Sequence, residues 1–283
     1  MLRRTFVAIA FFALSCAPNL DQRLTSEVDR LDAKLKSVEA AKLPDELQAI
    51  PKGHRARLAS ARAATSSEQR LVRMREAFIG IELLAMLQRE KRASEDFAAL
   101  QTLWTKERAR FEANPPDVRG SLLRRAMMQN ATNRAQKLFR ASLPYGKTSA
   151  PMSGLFYFAE AEGNLRFRDF LATLPADAGS RDVPRAEVVR SELEARERET
   201  SAKFASDPSG RTSIRASAKL KEARELFERG YLEGAALALV EVNATEDAIP
   251  AALTQLAQRR NAAPSRAPKP QLVTVTLVRW PYT

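Results

Sequence analysis

The sequence predicts an all-α protein, and three observations carry that prediction. Ten glycines in 283 residues are too few for the turn-dense pattern of a sandwich or barrel. Ala, Leu, Arg and Glu, all good helix formers, dominate long stretches. Apolar residues recur at steps of three and four through much of the chain. With 45% hydrophobic residues the chain has enough apolar side chain for a real core, in one large domain or two modest ones. The expected architecture is a set of antiparallel helical hairpins followed by an extended C-terminal tail strand.

Residues 1–15 stand outside the fold. Arg3 and Arg4 form a short positive region, and Thr5 to Leu14 form an apolar run too short to span a bilayer but of the right size for a secretory signal. The run ends in Ala13, Leu14, Ser15 and Cys16, the chain's single cysteine. This stretch resembles the lipobox of bacterial lipoproteins, in which cleavage precedes a cysteine that becomes diacylated on sulfur. The resemblance covers residues 1–16 and implies lipidation at Cys16, with localisation on the periplasmic face of a bacterial envelope membrane, the outer rather than the inner. That family usually carries Leu where Ala13 stands. The Ala-x-Ser pattern also suits an ordinary signal peptidase cutting at the same bond, which would leave the mature chain soluble. A lone cysteine in an exported protein has no disulfide to make, which favours the lipid.

From residue 16 to 44 the chain reads as anchor plus helix. Leu24, Val28, Leu31, Leu35 and Val38 alternate spacings of four and three, a heptad-like seam of about two and a half repeats. The pattern suits either a helix packed on its own chain or a coil like that of the murein lipoprotein, which it resembles in its Asn-containing linker. A helical region follows over 53–143. Thr65 and Glu68 make a capping-box pattern ahead of Leu71, Met74, Phe78, Ile81, Leu84 and Leu87. Asn114, Pro115 and Pro116 break the next helix, and another runs from about Ser121 to Leu143. The prolines and glycine of Pro144 to Pro151 mark a subdomain boundary. A second helical region spans 151–263 and includes a charged helix from Pro184 to about Phe204. Residues 264–283 form a Pro-rich linker and tail.

At 217–242, "KLKEARELFERGYLEGAALALVEV" places Ala223, Leu226, Phe227, Gly230, Ala235 and Leu239 as small and large positions on either side of a glycine turn. This resembles a tetratricopeptide helical hairpin and implies a protein-interaction role. The early aromatic of that family is Lys219 here, and a generic hairpin fits the same residues.

Chemistry is thinly supplied. His54 is the single histidine, which leaves no material for a His-based triad or a His-rich metal site, and its basic surroundings suggest an exposed loop or helix start. No glycine-rich phosphate loop is present. Neither a cofactor nor a metal is expected, and no catalytic residue is assigned. Glu160 and Glu162 lie in an aromatic setting, "FYFAEAEG", that a cell-wall hydrolase working through a glutamate acid would need. A hydrolase is therefore the alternative to a non-enzymatic scaffold.

Charge carries more. The formal net charge is +12, and the excess is local. From Arg119 to Lys147 there are seven basic residues and no acidic ones. On a helical wheel Arg119, Arg125, Arg134, Lys137 and Arg140 lie away from an apolar face of Met127, Met128, Ala131, Ala135, Leu138 and Phe139, with Arg124 alone intruding on that face. The basic stripe is either a solvated face or a site for an anionic lipid surface or acidic partner. In the tail, Leu272 to Val278 alternates at period two and should be extended; Val273, Val275, Leu277 and Trp280 would then contact a partner as an added edge strand. The expected partners are the membrane, through the N-terminal lipid, and envelope proteins or an anionic lipid surface; nucleic acid is not expected. Together these readings describe an exported, lipid-anchored helical scaffold or interaction module.

Overall fold

The computed structural model describes residues 19–41, 47–116, 120–147, 150–175, 179–206 and 211–260. These residues form ten α-helices and no strand: α1 (Leu20–Ala40), α2 (Ile50–Arg62), α3 (Ser67–Arg89), α4 (Phe97–Glu112), α5 (Leu122–Ser142), α6 (Pro151–Thr173), α7 (Ala186–Ser206), α8 (Arg211–Glu228), α9 (Leu232–Val240) and α10 (Ile249–Gln258). Among them, no helix is long and apolar enough to cross a membrane. The tail expected as a strand lies outside the described residues.

Helix α1 opens on a reciprocal cap: the Asn19 side chain accepts from the Gln22 N–H at 2.8 Å, and the Gln22 side chain accepts from the Asn19 N–H at 3.2 Å. Its seam of Leu24, Val28, Leu31, Leu35 and Val38 is buried against α2 and α3 of the same chain. The packed-helix reading therefore holds, and the seam is not free to form a coil.

Helix α3 lies at the centre, touching α1, α2 and α6. Its cap is Ser66 rather than Thr65. Ser66 has the extended backbone that a cap requires and its hydroxyl accepts from the Gln69 N–H at 3.2 Å, while Thr65 donates to the Gln69 side chain.

Helices α5 and α6 pack along each other on both sides of the 143–147 turn. The core does not divide at 144–151. One apolar cluster joins α1–α3, α5 and α6 to α7–α10, and a second joins α3–α6 around Phe111, which stacks on Phe139 at 4.6 Å and meets Phe158 edge-on at 5.5 Å. Proline and glycine there end a helix, but the two helices they separate share both cores.

The α8–α9 hairpin turns at Gly230, whose φ of +76° is accessible at little cost only without a Cβ. The Gly230 N–H donates to the Phe227 carbonyl and the Tyr231 N–H to the Leu226 carbonyl, both at 2.9 Å, a Schellman closure of α8.

Candidate functional sites: a charge network and a cleft

The basic stripe read from α5 faces other helices. Arg125 pairs with Glu233 of α9 at 3.3 Å and donates to the Gly120 carbonyl at 2.7 Å and the Asp182 carbonyl at 3.0 Å. Arg134 reaches Glu222 of α8 at 2.5 Å, and Lys137 reaches Glu225 of α8 at 2.8 Å. These three cations are partnered within the fold, because α8 and α9 bring carboxylates onto the side of α5 that the wheel left to solvent. Arg140 is exposed, and Arg119 lies outside the described residues. Arg124, the intruder, is buried and donates to the carbonyls of Leu171, Leu174 and Pro175 at 2.6–2.8 Å. It closes the C-terminal end of α6, where the Leu171 carbonyl otherwise has only the Leu174 N–H at 3.4 Å.

Arg134 belongs to a larger network. Arg75 pairs with Glu241 at 2.6 Å, Lys219 bridges Glu241 and Glu222, and Arg134 also lies 3.8 Å from Glu76. Three cations and three carboxylates thus join α3 and α5 to α8 and to Glu241 at the end of α9. Burial pushes the Glu222 carboxyl up, but Arg134 and Lys219 overcome it and bring it down to about 2. Burial opposes ionisation of Glu241 as well, yet Arg75, Lys219 and Arg134 hold it well below the ordinary carboxylate range. Such a network is costly to break from one side, since the remaining partner would stay buried and uncompensated.

The two glutamates of α6 take different faces, as a spacing of two on a helix requires. Glu162 is buried on Arg166 at 2.8 Å and faces Arg110 at 3.4 Å. Glu160 lies on the other side, where burial raises its carboxyl despite the pull of Arg134. His54 is neither a loop residue nor free. It sits in α2 with both ring nitrogens enclosed and unpartnered among the described residues, directly over Gly80, where an added Cβ would fall 2.1 Å from the ring. Burial, then Arg57, lower its pKa to about 4 against a smaller opposing effect of Glu76. It is therefore neutral near pH 7.

A large concavity lies elsewhere among the described residues. A cleft of about 660 Å³ opens between α7, α9 and α10, within the size range of ligand and peptide sites. Its apolar surface comes from Leu239, Val240 and Leu256 and from Ala244, Ala248, Ala251 and Ala252, whose short side chains leave space between the helices. Along one edge Glu192 accepts from Arg196 at 2.9 Å and from Arg259 at 2.7 Å. Asn243, Thr245 and Gln255 supply uncharged polar groups. The sequence reading left this site unseen because it assigned no helix after Val242. The signal was available in Ile249, Leu253, Leu256 and Ala257, whose spacing of four, three and one follows a helix face.

Glu160 and Glu162 do not line the cleft. Cys16, Val273, Val275, Leu277 and Trp280 lie outside the described residues. Among the described residues, no group of three or more His, Cys, Asp or Glu is placed to hold a metal ion. No protein-family model, curated protein or solved structure matches this chain.

Proposed function

We propose that the chain is an exported, lipid-anchored helical interaction module on the periplasmic face of a bacterial envelope membrane, and that the cleft between α7, α9 and α10 grips its partner. The cleft is the observation that carries this reading. It is open, mostly apolar and widened by the short side chains of its alanines, with a polar edge to orient what enters. The α8–α9 hairpin beside it would act as a tetratricopeptide-like unit. The anchor is Cys16, and residues 271–280 are a second contact, added as an edge strand to a partner sheet with Trp280 in a pocket. The anionic-surface reading rests on Arg119 and Arg140, since Arg125, Arg134 and Lys137 already hold carboxylates of this chain.

In-cell cross-linking of the full chain tests the module. Ala252→Trp, which fills the cleft, should abolish its cross-linked envelope species while leaving the melting temperature unchanged. Cys16→Ala should release the protein from membranes without altering its helix content. Cross-linking that survives Ala252→Trp removes the cleft from the proposal, and membrane retention of Cys16→Ala removes the anchor.

One observation favours the hydrolase reading, the raised carboxyl of Glu160 beside an aromatic segment in which Tyr145 and Tyr157 stack at 5.4 Å. Peptidoglycan clearing by the purified protein that is lost in Glu160→Gln would support it, and absence of clearing by the wild type would end it.

A further inference from the structure

We infer that residues 271–280 occupy the cleft between α7, α9 and α10 of their own chain until a partner takes their place, which makes the cleft a regulated site. The inference rests on the reading of that cleft as the partner site, and it names what the partner displaces.

Position comes first. The chain leaves α10 at the rim of the cleft, and two contacts hold it there. Gln258 donates to Asp182 at 2.9 Å, and Arg259, itself a cleft residue, reaches Glu192 of α7 at 2.7 Å. Arg259 has already left the helix for extended backbone, with φ −62° and ψ 131°. Residues 261–283 therefore start from a fixed point beside the cleft. The ten residues 261–270 include Pro264, Pro268 and Pro270. Ten residues in the polyproline II form span about 31 Å, twice the roughly 15 Å length of α10. That reach lets the segment after Pro270 turn back along the whole of α10.

Chemistry agrees with position. Residues 272–278, "LVTVTLV", carry no charge, and Arg266, Lys269 and Arg279 flank them. The charged groups of the cleft compensate one another: Glu192 holds both Arg196 and Arg259, and Arg196 also lies 3.7 Å from Glu199. An acidic occupant would compete with Glu192 for both arginines, and a basic one would compete with the arginines for Glu192. A neutral apolar segment meets neither cost and covers Leu239, Val240 and Leu256. In an extended chain Val273, Val275 and Leu277 share one side and can face those residues, while Thr245 and Gln255 offer hydrogen bonds to the backbone.

A tethered segment needs little affinity of its own. A short linker holds it at a local concentration of about 1 mM, which fills nine-tenths of a site whose Kd for the free segment is about 0.1 mM. So weak a contact yields to a partner that engages both the tail and the cleft.

Thiol labelling of Ala251→Cys in the full chain tests this, with Cys16→Ala leaving one thiol. Ala251 is exposed and lines the cleft. Adding Val275→Asp and Leu277→Asp, which puts charge on the apolar side of the tail, should speed labelling about tenfold at unchanged helix content. Equal rates with and without the two aspartates overturn the inference. Protection that grows with protein concentration also overturns it, since the tail would then belong to a second copy. Oxidation of Ala251→Cys paired with Val275→Cys should close a disulfide within one chain, and its failure to form decides against the inference even if the aspartate variant does not fold. Equal labelling rates, with envelope cross-links lost in Ala252→Trp, reject the tail and keep the cleft as the partner site. Faster labelling in the aspartate variant, with cross-links that survive Ala252→Trp, keeps the tail in the cleft and overturns its regulatory role.

Discussion

Helices α1 and α5 are both 21 residues long and both begin with a side-chain cap, Asn19 in one and Ser121 in the other, yet they sit in the molecule in opposite ways. Helix α1 packs against α2 and α3 along one stripe that is apolar except for Glu27, with Arg30 and Lys34 reaching Glu82 of α3 beside it. Helix α5 touches α4, α6, α8, α9 and α10, and six of its buried residues, Arg124, Asn130, Thr132, Asn133, Gln136 and Ser142, are polar. A hydrophobic stripe reports which side of a helix must be buried. It cannot report that the opposite side stays wet, because a cation can be buried once another helix supplies carboxylates or carbonyls that offset its desolvation.

Substitutions can break that contrast, beginning with the largest effect. Arg124→Ala should cost about 4 kcal/mol of unfolding free energy, because it strands the Leu174 and Pro175 carbonyls that the buried guanidinium satisfies and leaves the Leu171 carbonyl only the Leu174 N–H at 3.4 Å. Leu31→Ala in α1 should cost about 3 kcal/mol through a cavity alone, the same order for an apolar reason. Equal costs for Arg124→Ala and for the exposed Arg140→Ala, measured by urea unfolding, would mean that α5 behaves as a one-sided helix after all.

Acid should separate the polar contacts from the apolar ones. His54 binds a proton less readily folded than unfolded, so its contribution is present above pH 6.5 and is lost as the pH falls toward about 4, a loss of about 3 kcal/mol. Glu222, with its pKa lowered from 4.5 to about 2, contributes stability that is present above pH 4.5 and lost as the pH falls from there to about 2. Glu160 acts in the opposite sense, since its raised carboxyl favours the protonated fold. Urea unfolding across this range should show two successive losses, and His54→Leu should remove the first and leave the second. A single loss in that variant and in wild type alike would show that His54 does not titrate in this way.

The smaller effects sharpen the comparison. Glu222→Gln should cost about 2 kcal/mol, because Arg134 and Lys219 lose their shared partner while remaining largely enclosed. Lys137→Gln should cost under about 0.5 kcal/mol, since the pair it breaks is open to solvent at both ends. A double-mutant cycle between residues 134 and 222 and another between 137 and 225 would measure the two couplings separately. Comparable values would contradict the burial difference on which the ranking depends.

Much of the fold was legible because its cues are local. The seam of α1, the start of α5 near Ser121, the Asn114 to Pro116 break and the turn at Gly230 each depend on residues within a turn or two of one another. The cap of α3 slipped by one residue for the same kind of reason, since Thr65 and Ser66 offer the same hydroxyl and backbone conformation chose between them. The candidate sites were far less legible. The cleft needs α7, α9 and α10 to meet at a fixed separation, and the α10 pattern is short enough to have passed unnoticed.

The sequence by itself determined that this chain is helical, where most of its helices begin and end, and which residues are too apolar to remain in water, because 3.6-residue periodicity and capping chemistry act over short distances. Tertiary structure alone decided what the charges do. Arg134 and Glu222 are 88 residues apart, and Arg75 and Glu241 are farther still, so no local pattern marks them as partners. Coulomb attraction becomes strong only after folding has removed the water between such groups, and that removal is a property of the packed helices together.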